Sequence, residues 1–352
     1  MDGTAVVYCE GAFDSTYGKT AHGLVRFTER YRIAYVIDSS LAGQDAGMVL
    51  DRKPSGVPIV KNLGEALIRA AEDGIKLTHM VVGIATDGGY LEQPVIDAAL
   101  EAVKAGLNVD SGLHEFLSDE DELRKTAMAS GLVLRDIRRQ STMRKHSFTG
   151  KIEDVTSKRI AILGTDSAIG KRTTAWILVH MLRTSGISAE LIGTGQTAWM
   201  QGAKYGIILD SLLNDYISGE LEHAIWSAWN DEKMDVAVIE GQGSLMNPAY
   251  PGGFEIIAAG RPHGIIMQHA PNRKEYDGFP GYPLDSLEDQ IHIAEFISKK
   301  QVIAVTINHE GIPMDMLDDV CSEIASRLNL PVVDPLIHGV ESLLPIITKL
   351  KL

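Results

Sequence analysis

Cysteine is almost absent: Cys9 and Cys321 are the two in 352 residues, far apart and without metal-ligand spacing. A disulfide framework and a cysteine-built metal site are thereby excluded, and neither thiol is marked as a nucleophile. Positive charge is also scarce. With 33 Lys and Arg against 47 Asp and Glu, the chain carries a formal charge of −14, which repels nucleic acid and anionic membrane alike. No apolar run reaches the ~18 residues needed to cross a bilayer, and the first ten residues lack a signal-peptide pattern. A soluble cytoplasmic protein is expected, with no nucleic-acid or membrane partner. Small anions remain open as ligands, because one local loop can make its own positive field.

What is present is organised around Gly164 to Thr174, GTDSAIGKRTT. The stretch follows the apolar run RIAIL, Arg159 to Leu163, and opens into the helical pattern TTAWILVHML. It therefore sits where a strand hands over to a helix. The N–H groups of a glycine-bearing turn, the positive end of a helix dipole and one Lys side chain together hold a di- or triphosphate. Gly164, Thr165, Asp166, Ser167, Ala168, Ile169, Gly170, Lys171, Arg172, Thr173 and Thr174 are the candidate cofactor-binding residues.

Before this loop, alternating short strands and helices predict a parallel sheet with helices on both faces. Thr4 to Tyr8 reads as the first strand and about Leu24 to Arg30 as the first helix. The long turn between them contains Gly18-Lys19-Thr20, which resembles the end of a phosphate loop with the wrong glycine spacing; Lys19 is a candidate anion or substrate contact. This is a Rossmann-like opening. The fingerprint G-x-G-x-x-G is missing, however, so Asp38, at the end of the second strand, is read as a turn residue before a ribose ligand. From Arg138 to Lys158 the pattern dissolves into polar, basic sequence, RRQSTMRKHSFTGKIEDVTSK. The expected organisation is a Rossmann-like domain over 1–137, a linker over 138–158 and a second α/β domain over 159–352.

Within the second domain GTGQTAWMQGAKYG reads as a ligand-facing loop, with Gln196 as a candidate substrate contact. The buried strand in DVAVIEGQGS delivers Glu240 to its end. In a phosphate-loop fold, an acid there binds Mg²⁺ or orients a reacting group. Further along, Gln268-His269 ends a strand, with Arg261 before it and Arg273 and Lys274 after it. Arg261 and Arg273 are candidate carboxylate ligands because a guanidinium binds carboxylate bidentately.

GTDSAIGKRTT and VIEGQGS together resemble the dethiobiotin-synthetase branch of P-loop proteins. That resemblance implies a parallel sheet, phosphates on the loop and Lys171 as the phosphate lysine. Across the whole chain GKTAHGLVRF, VIDSSLAGQDAG, SGLHEFLSD, GTGQTAWM, HGIIMQHAPNRKEYDGF and LPVVDPL resemble a bacterial and archaeal family long of unknown function. Its members join a Rossmann-like N-terminal domain to a P-loop domain. One branch is known as D-glutamate N-acetyltransferase. The fold class implied is α/β: an N-terminal Rossmann-like parallel sheet and a C-terminal dethiobiotin-synthetase-like P-loop sheet.

One departure from P-loop enzymes is instructive. The residue after the loop Lys is normally Ser or Thr, whose hydroxyl binds Mg²⁺; here it is Arg172, which cannot coordinate a cation. Lys171 and Arg172 suit the pyrophosphate of coenzyme A, which requires recognition and no phosphoryl transfer. Acetyl-CoA is the expected cofactor, an acidic D-amino acid the expected substrate, and no resident metal is expected. Lys171, Glu240 and His269 are the catalytic candidates: a donor for the oxyanion and a base, either Glu240 or His269. Two alternatives stand beside this: an ATP- and Mg²⁺-dependent ligase or kinase-like enzyme, and a nucleotide-responsive regulator. A homo-oligomer is expected.

Overall fold

The strands are short apolar runs buried on both faces, as parallel sheets covered by helices require; Ala5, Val6, Val7 and Ile160, Ala161, Ile162 are all fully buried. A computed structural model describes residues 1–141 and 143–351, so Thr142 in the expected linker and Leu352 at the end of the expected second domain lie outside the described residues. By internal contacts the chain divides into a first unit, Met1–Met143 with Gln196–Gly202, and a second, Arg144–Gly195 with Ala203–Leu352.

The first unit runs β1 (Gly3–Tyr8), α1 (Lys19–Arg26), β2 (Tyr31–Ile37), α2 (Ala46–Asp51), β3 (Ile59–Val60), α3 (Leu63–Glu72), β4 (His79–Val82), α4 (Gln93–Lys104), β5 (Asn108–Ser111), α5 (Asp121–Ala129), β6 (Leu134–Asp136) and α6 (Ile137–Ser141). Its strands lie in the order β3-β2-β1-β4-β5-β6, with parallel pairing throughout. Helix α1 starts at Lys19, earlier than the apolar spacing suggests, and stops at Arg26. The Thr28 hydroxyl, accepting from the N–H groups of Arg30 (3.1 Å) and Tyr31 (3.3 Å), turns the chain into β2 instead. Asp38 is fully buried and accepts from Phe13 N at 3.0 Å, so it holds the loop after β1 in place.

The second unit contains β7 (Lys158–Gly164), α7 (Lys171–Thr184), β8 (Ala189–Gly193), β9 (Tyr205–Gly206), α9 (Asn214–Glu232), β10 (Val236–Glu240), α10 (Phe254–Gly260), β11 (Gly264–His269), α11 (Leu287–Ser298), β12 (Val302–Ile307), α12 (Leu317–Leu328), β13 (Val332–Val333) and α13 (Leu344–Lys349), while helix α8 (Gln196–Gln201), between β8 and β9 in the chain, belongs to the first unit. The order β13-β12-β11-β7-β10-β8-β9 puts β7 at the middle of an all-parallel sheet.

One expectation changes. The stretch around Gln196 is a helix, not a loop, and first-unit residues hold it: Thr197 and Thr20 hydroxyls meet at 2.8 Å, Gln201 Nε2 donates to Gly23 O and Phe27 O at 2.8 Å, and the Trp199 ring lies under the Arg30 and Arg135 guanidiniums. Within 138–158 the division between the two units falls after Met143. Arg138 is buried within α6, and beyond Met143 the chain is fastened to α9. Glu222, 2% exposed, accepts from Thr149 N (2.7 Å), Thr149 Oγ1 (2.9 Å) and Ile152 N (3.2 Å). Two residues back on the same helix, Glu220 accepts from His146 N at 2.8 Å. Two buried carboxylates on α9 take main-chain donors from this stretch, whose side chains over 143–149 are exposed.

Glu222→Gln keeps the shape but turns an acceptor into a donor facing donors. It is expected to lower the melting temperature of the second unit by roughly 5 °C or more, read by calorimetry. An unchanged melt would mean that the carboxylate does not hold this segment. No helix among the described residues is long and apolar enough to cross a membrane.

Candidate phosphate-binding site

Strand β7 pairs with β10 on one side and β11 on the other, so the loop after it rises from the centre of the sheet. Parallel strands send all their C-terminal ends to one edge, and Glu240 and His269 end the two flanking strands there. Glu240 is level with Ile162 of β7, and His269 lies one residue beyond Gln268, which is level with Gly164.

The loop is tightly shaped. Ala168 and Gly170 take left-handed backbone conformations, φ 52° and 100°, which turns successive N–H groups inward before α7 begins at Lys171. Side chains other than glycine seldom tolerate this at Gly170, and Ala168 holds it at a cost of about 1–2 kcal/mol. Lys171 is buried, and its Nζ donates to Asp166 O at 2.5 Å and Gly243 O at 2.7 Å. It thus spans from the loop to the turn after β10. A Cβ at Gly241 in that turn would lie 2.1 Å from Ile162 O and 3.1 Å from Lys171 Cδ, so only glycine lets strand, turn and lysine pack together.

Asp166 is fully buried and ties the loop down from its other side: Arg273 Nη1 at 2.9 Å, Asp277 N at 3.0 Å and Asn247 Nδ2 at 3.2 Å all donate to its carboxylate. Arg273 also donates to Ser167 O (2.8 Å) and pairs with Glu310 (2.9 Å). Its guanidinium positions the loop, and is committed to that before any substrate carboxylate. The Thr165 hydroxyl meets His269 Nδ1 at 3.0 Å, and Thr165 O accepts from Gln290 Nε2 at 3.0 Å. Thr174 donates its hydroxyl to Gln268 Oε1 at 2.5 Å, where Thr306 donates too (2.6 Å). Thr173 is half-buried one helical position away.

Glu240 is 3% exposed, and its Oε2 accepts from the N–H groups of Thr194 (2.8 Å) and Gly195 (3.2 Å). Burial raises its pKa; Arg172, those N–H groups and Lys171 pull it back without cancelling the rise. His269 moves the other way for a base. Burial first, then the charges of Arg327 and Lys274, lower its pKa to about 4, so the ring is neutral at pH 7.

A depressed histidine fixes the sign of a pH effect. The unfolded chain binds the proton near pH 6.5 and the folded chain only near 4, so the stability from His269 is complete above 6.5 and disappears as pH falls to 4. His263, lowered to about 4 by burial and by Arg159, acts in the same window. Between pH 6.5 and 4 the melting temperature is expected to fall, with a shallower slope in His269→Gln. Equal slopes would mean that His269 is not buried neutral.

Arg261 is not brought here. Arg261 caps the C-terminal end of α10, pairs with Glu153 at 2.7 Å and precedes β11, at the opposite end of the sheet from the loop. The six-residue strand β11, about 20 Å long, follows it and ends at His269. Lys19 is exposed at the first residue of α1, and Gln196 accepts from Arg138 Nη2 at 3.1 Å; both belong to the first unit. Asn247, Gln290 and the main-chain N–H of Asp277 are loop supports that the sequence did not announce. Each is a lone polar residue in a loop or on an amphipathic helix, with no spacing motif to mark it.

Residues 146–344 match the family described as a domain of unknown function, DUF1611_C, P-loop domain, and residues 39–140 match its DUF1611_N Rossmann-like domain. The chain belongs to the DUF1611 family. A crystal structure of a DUF1611 family protein from Anabaena variabilis superposes with a TM-score of 0.89 at 24% identity, covering 99% of this chain and 100% of that one, and has the same fold. Two relatives of this DUF1611 chain are named D-glutamate N-acetyltransferase. One, from a Pseudoalteromonas species, is 30% identical over 284 residues, 79% of this chain and 83% of its own. The other, from Tritonibacter scottomollicae, is 30% identical over 266 residues, 74% and 78% of the two chains.

Proposed function

We propose that the protein is an N-acetyltransferase that moves acetyl from acetyl-CoA to the amine of D-glutamate, with the coenzyme's phosphates on the Gly164–Thr174 loop. Lys171 and Arg172 carry this reading. Two cations start helix α7 where a P-loop enzyme has one cation and a metal-binding hydroxyl, and the next buried hydroxyl, Thr174, is spent on Gln268. A pyrophosphate that is recognised and not cleaved requires charge and N–H groups, and these are what the loop offers. The names of the two relatives point to the same chemistry.

The transfer forms a C–N bond from the neutral amine to the acetyl carbon and breaks the thioester C–S bond. The amine proton leaves for a base and the thiolate takes a proton to become the free thiol. His269, neutral and at the strand end beside the loop, is the base we favour. Glu240 acts as the counter-charge to Arg172 and Lys171 and as the acceptor that fixes the Thr194–Gly195 turn.

The assay is purified protein with acetyl-CoA and D-glutamate in EDTA, without ATP, following free thiol. Thiol release that depends on D-glutamate is the expected result. No release, with ADP formed from Mg²⁺-ATP instead, would replace this function by the ligase or kinase-like alternative.

A further inference from the structure

Beside the phosphate loop, on the side away from Glu240, a cavity of about 460 Å³ lies between the start of α11 and the face of α12. His269 and Arg273 form its wall toward the loop, and nothing in the phosphate-binding arrangement uses the rest of it. Its lining pairs cations with carboxylates over an apolar floor, a pattern that suits a small zwitterion with a short aliphatic chain. Resting on the acetyltransferase reading above, we propose that this cavity is the acceptor pocket, in which Lys274 and Arg327 take the two carboxylates of an acidic amino acid and its amine faces His269.

The three cations in the lining differ in what holds them. Arg273 is bound to a fully buried Asp166 and to Glu310, and exchanging those bonds for a ligand would strand a buried charge. Arg327, by contrast, pairs through Nε with Glu288 at 2.8 Å, with both side chains nearly half exposed. Such a pair contributes little and is readily exchanged for a ligand carboxylate. Lys274 is exposed, and its Nζ reaches Pro271 O at 3.3 Å, a long contact. These two are therefore the cations available to a dicarboxylate.

Leu287 and Ile324, both buried, give the methylenes of the ligand an apolar floor. Asp285, which accepts from Tyr276 Oη at 2.6 Å, and Glu323, one turn before Arg327 on α12, also line the cavity and supply negative charge for an ammonium before it loses its proton. His269 Nδ1 is engaged by Thr165, so Nε2 is the ring nitrogen left for the amine, and it carries the lone pair when Nδ1–H is the donor to Thr165. The loop's phosphates and the acceptor amine are then brought together by one residue pair, Thr165 and His269, across adjacent strands.

Arg327→Gln and Lys274→Gln change exposed side chains and leave the fold intact. Each is expected to raise the KM for D-glutamate roughly tenfold while the KM for acetyl-CoA stays within about twofold, and Arg327→Lys is expected to restore most of the loss. Binding is read separately: D-glutamate is titrated into full-length protein saturated with CoA, following the His269 ring resonances, assigned with His269→Gln. A shift in the wild type that is lost in Arg327→Gln supports the pocket whether or not acetyl is transferred. Transfer by the wild type with an unchanged D-glutamate KM in both Gln variants, or His269 resonances that do not move, overturns the pocket. Absence of transfer alone overturns the acetyltransferase reading, so the two failures are separable.

Discussion

Replacing Lys171 by Ala is expected to weaken acetyl-CoA binding by roughly 100-fold, about 3 kcal/mol, measured by calorimetric titration in EDTA. Lys171 Nζ belongs to the first residue of α7 and is held between Asp166 O and Gly243 O, buried, so its charge is weakly screened. Alanine removes the charge and also the link between the loop and the turn after β10. The variant's melting temperature separates these effects. A folded variant with unchanged affinity would remove the loop from the binding site.

Arg273→Ala is expected to cost about 3–5 kcal/mol of stability, because it leaves the fully buried Asp166 carboxylate with neutral donors only. Thermal unfolding measures this. The sign of the second substitution is the stronger check: adding Asp166→Asn removes the stranded charge and is expected to recover a large part of the loss, as residues in one network do not add. A single variant as stable as the parent, or a double variant worse than the sum, would contradict the role of Arg273 as the loop's buried counter-ion. Acetyl-CoA affinity is expected to follow the loop and fall in the single variant.

These expectations show which parts of the site were legible in the chain. The loop and its helix could be read because a strand's apolar run, a glycine turn and a helical pattern follow one another within about twenty residues. Glu240 could be read because a buried strand has to end at the sheet edge, and the acid follows it directly. Arg261 and His269 are separated for a simple geometric reason. Both flank β11, but a strand has two ends, and proximity in sequence to His269 put Arg261 at the wrong one.

Other parts had no local signal. The Asp166 to Arg273 pair joins residues 107 apart, and only the parallel pairing of β7 with β11 brings them together. Arg327 lies on the exposed side of an amphipathic helix, where a charged residue is unremarkable until α12 is seen against the cavity. Gln196 read as a loop residue of the second domain because small polar residues around Gly193 to Gly195 have turn chemistry. Its helix is instead settled by Trp199, Thr197 and Gln201, whose partners are all in the first unit. Hydrophobic periodicity locates strands and helices well and says little of long-range polar partners, which are most of what shapes this loop.

The central claim is that the loop recognises the phosphates of an acyl carrier without a metal ion. Titration of the wild-type protein with acetyl-CoA, once in EDTA and once in excess Mg²⁺, tests it most directly. The account predicts the same affinity in both. Acetyl-CoA that fails to bind in EDTA, while ATP binds tightly only with Mg²⁺, would contradict it.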